Sequence, residues 1–182
     1  MLDIESKVIL VVRDKHNKEI KRKEAKGNTI LKNFMRLIEH IFKAPIDGSS
    51  AMFIDINGTS HLYHYSYPLY VNGNKIKIAI GSDNTPVSFN DYNLGNILKG
   101  WEDVISYEVS YDDVNFKGTF KAYKSWTFTE ETDIWEAGLA FPYYKSSELK
   151  YAMVDRIVLD EAFTVPANKT IDVYYILEFS KK

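Results

Sequence analysis

The 182-residue chain has no cysteine, which excludes disulfide frameworks, thiolate zinc sites and cysteine nucleophiles together. Glutamine is missing too, while Lys, Glu, Ile and Tyr are plentiful. Loss of Cys and Gln with gain of Lys and Glu is the direction taken in hyperthermophiles; the abundant Asn runs against it. No apolar run approaches the roughly 20 residues that span a bilayer. Residues 1–7 lack a basic segment followed by an apolar one, so no signal peptide is expected. Neither sign of charge is in excess. With 23 basic and 25 acidic residues and a net charge of −2, long-range steering toward nucleic acid or an anionic membrane is not expected. Glycine motifs that cradle phosphate and the Gly-x-Ser-x-Gly elbow of a serine hydrolase are absent.

What is present is ordinary for a soluble fold: 45% apolar and 26% charged residues, in a chain long enough to bury roughly two-thirds of its unfolded surface. The expected architecture is mainly β. It is an antiparallel, jelly-roll-like β-sandwich over residues 1–182 as a single domain, with one packed helix near the N-terminus and residues 1–26 a candidate hairpin arm. Lys7–Arg13 is a β-branched run, 14–17 is turn-like, and 19–23 continues as a polar strand. The charge-rich stretch 18–26 is read as a solvated hairpin face rather than a nucleic-acid patch, because Glu19 and Glu24 interrupt it. Asn28 as N-cap and apolar residues at Ile30, Leu31, Phe34, Leu37, Ile38, Ile41 and Phe42 predict a helix ended by Pro45 and Gly48. Its polar face mixes Lys32, Arg36 and Glu39, which favours packing on a sheet over lying on a membrane.

Beyond residue 50 the signals are β. Met52–Ile56, Asn57-Gly58 and 59–67 read as a hairpin with a type I′ turn. Residues 69–71 and 75–80 read as a second hairpin with Ile76, Ile78 and Ile80 on one face. Ile105, Tyr107, Val109 and Tyr111 alternate with polar residues. After a turn at Asp112-Asp113, Phe116, Phe120 and Ala122 share a side. Ile171, Val173, Tyr175, Leu177 and Phe179 form the apolar face of the last strand. Short alternating strands with regular turns are the pattern of a sandwich or barrel.

Candidate chemistry is sparse. His61 and His64 fall in a predicted strand, where odd spacing sends them to opposite faces and prevents joint chelation. His16 sits in a turn and His40 on the helix. The pairs Asp112-Asp113 and Glu130-Glu131, with Asp133, are carboxylate clusters of the kind a glycosidase needs across a cleft, and 112–115 could in principle ligate calcium without matching an EF-hand. Solvated turns are the simpler reading. No catalytic residue, metal or cofactor is assigned, and no enzyme is expected. The aromatic surplus, 13 Tyr, 10 Phe and 3 Trp, is more informative. Tyr63, Tyr65 and Tyr67 share one strand face, and Trp101 is a fourth candidate. They fit a half-buried sheet face, a subunit interface or a stacking platform for sugar.

Two segments carry a resemblance. The first is Ile78-Ala79-Ile80-Gly81-Ser82-Asp83-Asn84-Thr85-Pro86 followed by Asn90-Asp91-Tyr92-Asn93-Leu94-Gly95. The second is Ile134-Trp135-Glu136-Ala137-Gly138-Leu139-Ala140-Phe141 with Val154-Asp155-Arg156 and the strand 170–179. Together they resemble tail and virion structural proteins of bacterial and archaeal viruses, in which a strand ends in glycine, a Thr/Pro loop follows, and an Asp-x-x-Leu anchor precedes an Ile-x-Glu-x-Gly-Leu strand. Trp135 and residues 141–144 depart from that pattern. From the residues themselves, Asp91 is expected to cap a short helical turn whose Leu94 and Ile97 plug the sandwich end. Glu136 and Arg156 are expected to pair across neighbouring strands and orient them.

The resemblance implies a non-enzymatic viral structural protein in a tail, baseplate, spike or similar appendage. It would be a homo-oligomer joined through aromatic faces, strand edges and the N-terminal arm, docked to other virion proteins and located in virions assembled in the host cytoplasm, with no nucleic-acid or membrane partner. The alternative is a carbohydrate- or receptor-binding sandwich that meets a host-surface glycan.

Overall fold

The computed structural model describes residues 2–27, 31–37, 50–64, 75–145 and 148–181. Eleven strands are found among them: β1 Leu2–Arg13, β2 Glu19–Gly27, β3 Ser50–Ile54, β4 Ser60–His64, β5 Lys77–Gly81, β6 Ile97–Asp103, β7 Ser106–Asp112, β8 Lys117–Phe128, β9 Thr132–Lys145, β10 Glu148–Val165 and β11 Lys169–Lys181. A short helix covers 32–37. The fold is mainly β, as expected, and every strand pairing is antiparallel. A five-stranded sheet runs β2-β1-β11-β8-β7, a four-stranded sheet runs β10-β9-β5-β6, and β3-β4 form a separate ribbon.

Alternation explains the core. Val8, Leu10 and Val12 of β1, Ala122 and Trp126 of β8, and Ile171, Val173, Tyr175 and Leu177 of β11 leave the five-stranded sheet on one side. They join one apolar cluster with Ile78, Ile80, Ala137, Leu139, Val154 and Ile157 of the four-stranded sheet. Period-two side chains put each set on a single face of its sheet, and the register shift between Met153 and Asp155 lets Val154 and Ile157, three apart, both reach the core. The middle of the four-stranded sheet is covered on its second face as well. There Ala79 and Met153 meet Leu31 and Leu94, with Ile56, Val87 and Trp101 against them. Gly138 makes room for this cover, since a Cβ there would lie 2.7 Å from the Trp101 ring.

Several expectations need correction. The N-terminal hairpin is not a detached arm. β1 lies between β2 and β11 and pairs with β11 along its whole length, because its β-branched apolar face has a partner sheet to cover it. The Asn57-Gly58 turn is not type I′: of its two residues only Gly58 has positive φ, at 80°. Instead the Asp55 carboxylate accepts the Asn57 and Thr59 amides, both at 2.9 Å, and Asp55 N–H donates to Thr59 O. Residues 90–94 form no helix, and Ile97 is exposed at the start of β6. Phe116 lies outside β8 in the turn with φ 50° and is exposed. The hairpin partner expected at 69–71 and helix residues 28–30 and 38–42 lie outside the described residues.

Candidate functional site

Asp83, Asp91, Glu136 and Arg156 meet on the outer face of the four-stranded sheet. Arg156 projects from β10 beside β9, and its guanidinium divides itself among three carboxylates: Nε to Glu136 at 2.8 Å, Nη1 to Asp91 at 2.8 Å and Nη2 to Asp83 at 3.2 Å. Glu136 is fully buried and accepts the backbone amides of Gly95 at 3.2 Å and Asn96 at 3.1 Å. Asp83 accepts the Thr85 amide and hydroxyl, which, with Arg156, holds its carboxyl below the usual range. Burial works to lower the Arg156 pKa, but hydrogen bonds to Asp91 and Glu136 outweigh it and the net shift is upward. A guanidinium so held is a fixed charge, not a proton carrier. Here it ties the loop 82–96 to two strands. Asp91, the expected helix cap, instead accepts the Ser88 amide and pairs with Arg156. Sequence reasoning missed the part played by Asp83 and Asp91 because the contacts span 73 and 65 residues.

Two further polar groups lie inside. His61 Nε2 lies 2.9 Å from the Asp55 carboxylate, near the Tyr143 ring. His64 shares β4, but its side chain is outside the description. Asp155, on the inner face of β10, accepts the Tyr175 hydroxyl at 2.8 Å. Burial raises its pKa against the hydrogen bonds from Ser6 and Tyr175. The first pair closes the β3–β4 hairpin, and the second ties β10 to β11. Among the described residues, no cluster of three or more His, Asp or Glu side chains is arranged to hold a metal ion. The Asp112 carboxylate accepts the Val114 and Asn115 amides of its own turn, and Asp133 accepts the Thr164 hydroxyl at 2.6 Å.

The aromatic candidates separate. Tyr65 and Tyr67 lie outside the described residues, and the Tyr63 side chain is outside the description. Trp101 is half-buried, donating its indole N–H to Asn93 at 2.9 Å and packing over Gly138. Two tyrosines that the sequence did not single out form a platform on the outer face of the five-stranded sheet. Tyr123 and Tyr174 stack at 4.9 Å, Lys121 lies over Tyr174 at 4.9 Å, and Tyr123 donates to Asp172 at 2.9 Å. With Ser106, Tyr107 and Glu108 they line a depression of about 290 Å³.

Among the described residues, the β7–β8 hairpin carries several exposed apolar side chains. All seven residues of β7 are exposed. Tyr107, Val109 and Tyr111 point to one side, opposite Ala122, Phe120 and Gly118 of β8. Ile105, Val114 and Phe116 extend this surface, with Tyr111 at 80% and Val114 at 85% exposure. Single exposed apolar residues are normal on proteins; here several of them sit on one edge strand and its turn. No family model matches the sequence, and no curated protein or solved structure matches it either.

Proposed function

We propose that the chain is a non-enzymatic structural subunit of a virus particle, in a tail, baseplate, spike or similar appendage, that works by self-association and by docking to other virion proteins. The observation that carries the reading is the β7–β8 hairpin: a wholly exposed edge strand with an apolar face, at the end of a large sheet. An edge strand offers unpaired backbone groups to a neighbour, and its apolar face supplies the area that a stable contact buries. The order of the loop and strand motifs around Gly81, Glu136 and Arg156 supports the viral class by resemblance. We read the two large sheets as the halves of a jelly-roll-like sandwich, which a shared core drawn from both sheets favours. Assembly in the host cytoplasm belongs to the same reading. Static light scattering on the purified chain tests it: a defined oligomer is expected, and a monomer at every concentration would refute self-association.

A second reading, a glycan- or receptor-binding module, is favoured by the Tyr123–Tyr174 platform beside Lys121, since stacked rings suit the apolar face of a sugar. It predicts saturable glycan binding by the monomer that Tyr174→Ala abolishes. Calorimetry that detects no such binding would remove it.

A further inference from the structure

The two large sheets end in four strands, and three are blunted. β2 carries Glu19, Lys21, Arg22, Lys23, Glu24 and Lys26 along nine residues, and Lys23 reaches Asp160 and Glu161 of β10. β10 shifts register twice against β9. β6 shifts register twice against β5. Charges, bulges and cover of this kind prevent strand addition. β7 has no such register shift in its pairing with β8 from Ser106 to Asp112, all of its residues are exposed, and it carries little charge. It contains no Lys, Arg or Pro, and its single internal charge is Glu108.

We infer that β7 is the seam where two copies of this chain join, edge to edge and antiparallel, about a two-fold axis at Val109, fusing their five-stranded sheets into one continuous sheet. The inference rests on the self-assembly reading above and gives that reading its partner and geometry. A two-fold axis normal to the sheet keeps like faces together, and the sequence selects among the registers it permits. Centred on Val109, the whole of 106–112 overlaps. Val109 then faces Val109, Tyr107 faces Tyr111 on either side, and Glu108 faces Ser110. Apolar meets apolar on one face, and no acid opposes an acid on the other. Centred on Glu108, the overlap shrinks to 106–110 and two Glu108 carboxylates meet. Centred on Ser110, it is 108–112 and Glu108 opposes Asp112. Like charges directly opposite destabilise a strand pair, and aromatic and β-branched pairs stabilise it. The Val109 register also carries the hairpin tip past Ser106 of the second copy, bringing Val114 toward that copy's exposed Ile105. Such isologous contact closes as a dimer.

The cysteine-free sequence makes the register directly testable. Single variants Glu108→Cys, Val109→Cys and Ser110→Cys are oxidised under matched conditions, and covalent dimer is followed on non-reducing gels. Val109→Cys is expected to cross-link at least about tenfold faster than the other two, because only it places two sulfurs within disulfide reach. In light scattering, wild type is expected to be dimeric and Val109→Lys monomeric with an unchanged circular dichroism spectrum; Val109→Glu gives the same test with the opposite charge. Equal cross-linking of all three cysteines would overturn the register. An oligomer whose mass Val109→Lys leaves unchanged would overturn the seam while leaving self-assembly intact. A monomeric wild type would overturn both.

Discussion

Three turns share one device at the scale of single residues. Asp14, Asp55 and Asp112 each accept backbone amides two to four positions ahead. Each turn then closes through a left-handed residue: Asn17 at φ 62°, Gly58 at 80° and Phe116 at 50°. Asn and Gly accept that conformation readily, but a bulky side chain at positive φ is strained. Phe116→Asn is therefore expected to raise stability by about 1 kcal/mol, read from urea unfolding; a loss would show that the ring's contacts outweigh the strain. Asp155 gives a pH signature. Burial raises its pKa, so the native state holds the proton more tightly than the unfolded chain does. Its contribution to stability is fully present below the ordinary carboxylate value of about 3.9 and is lost as pH rises through the higher native value. Asp155→Asn should gain stability relative to wild type across that window. Parallel unfolding curves for the two proteins from pH 4 to 8 would exclude this role.

Among the elements, the loop 82–96 depends most on a few charges. Removing one partner of a buried ion pair leaves the other charged in low dielectric, a loss on the order of 3–5 kcal/mol. Arg156→Ala is expected to cost about that much, because Glu136 is fully buried. It should also make the loop 82–96 amides exchange faster by hydrogen–deuterium mass spectrometry; protection equal to wild type would mean the clamp does not hold the loop. The glycines there serve close approach. A Cβ at Gly95 would lie 1.7 Å from the Asp83 carboxylate, and one at Gly81 would lie 2.5 Å from the Asn96 carbonyl oxygen. Much of this element level is legible in sequence, because strand alternation is local: the apolar faces of β1, β5 and β11 and the turn positions follow from neighbouring residues alone. Which strands become neighbours is not local. The integration of β1 beside β11, the cover over Ala79 and Met153, and the convergence of Asp83 and Asp91 on Arg156 join distant residues, and no short-range pattern encodes them. Phe116 and Ile97 misled for a related reason: an apolar side chain extends a pattern whether or not the strand continues beneath it.

At the scale of the whole molecule, what matters is how many edges are left able to pair. One unprotected edge related by a two-fold axis closes after two copies, whereas two unprotected edges permit an open chain of subunits. β2 is the natural place to create the second. It is an edge strand whose solvent-facing residues are largely charged, and its neighbour β1 is tied into the sheet by β11, so changes on β2 leave the core packing of β1 in place. Replacing Lys21, Arg22 and Glu24 with Thr keeps strand propensity and removes three charges that resist addition. The triple variant is expected to show concentration-dependent growth in light scattering to species well beyond a dimer, with electron microscopy revealing extended assemblies. Combining it with Val109→Lys should return growth to a dimer joined through β2 alone, because only one open edge then remains. Continued polymerisation in the combined variant would mean that subunits add through a surface other than these two edges.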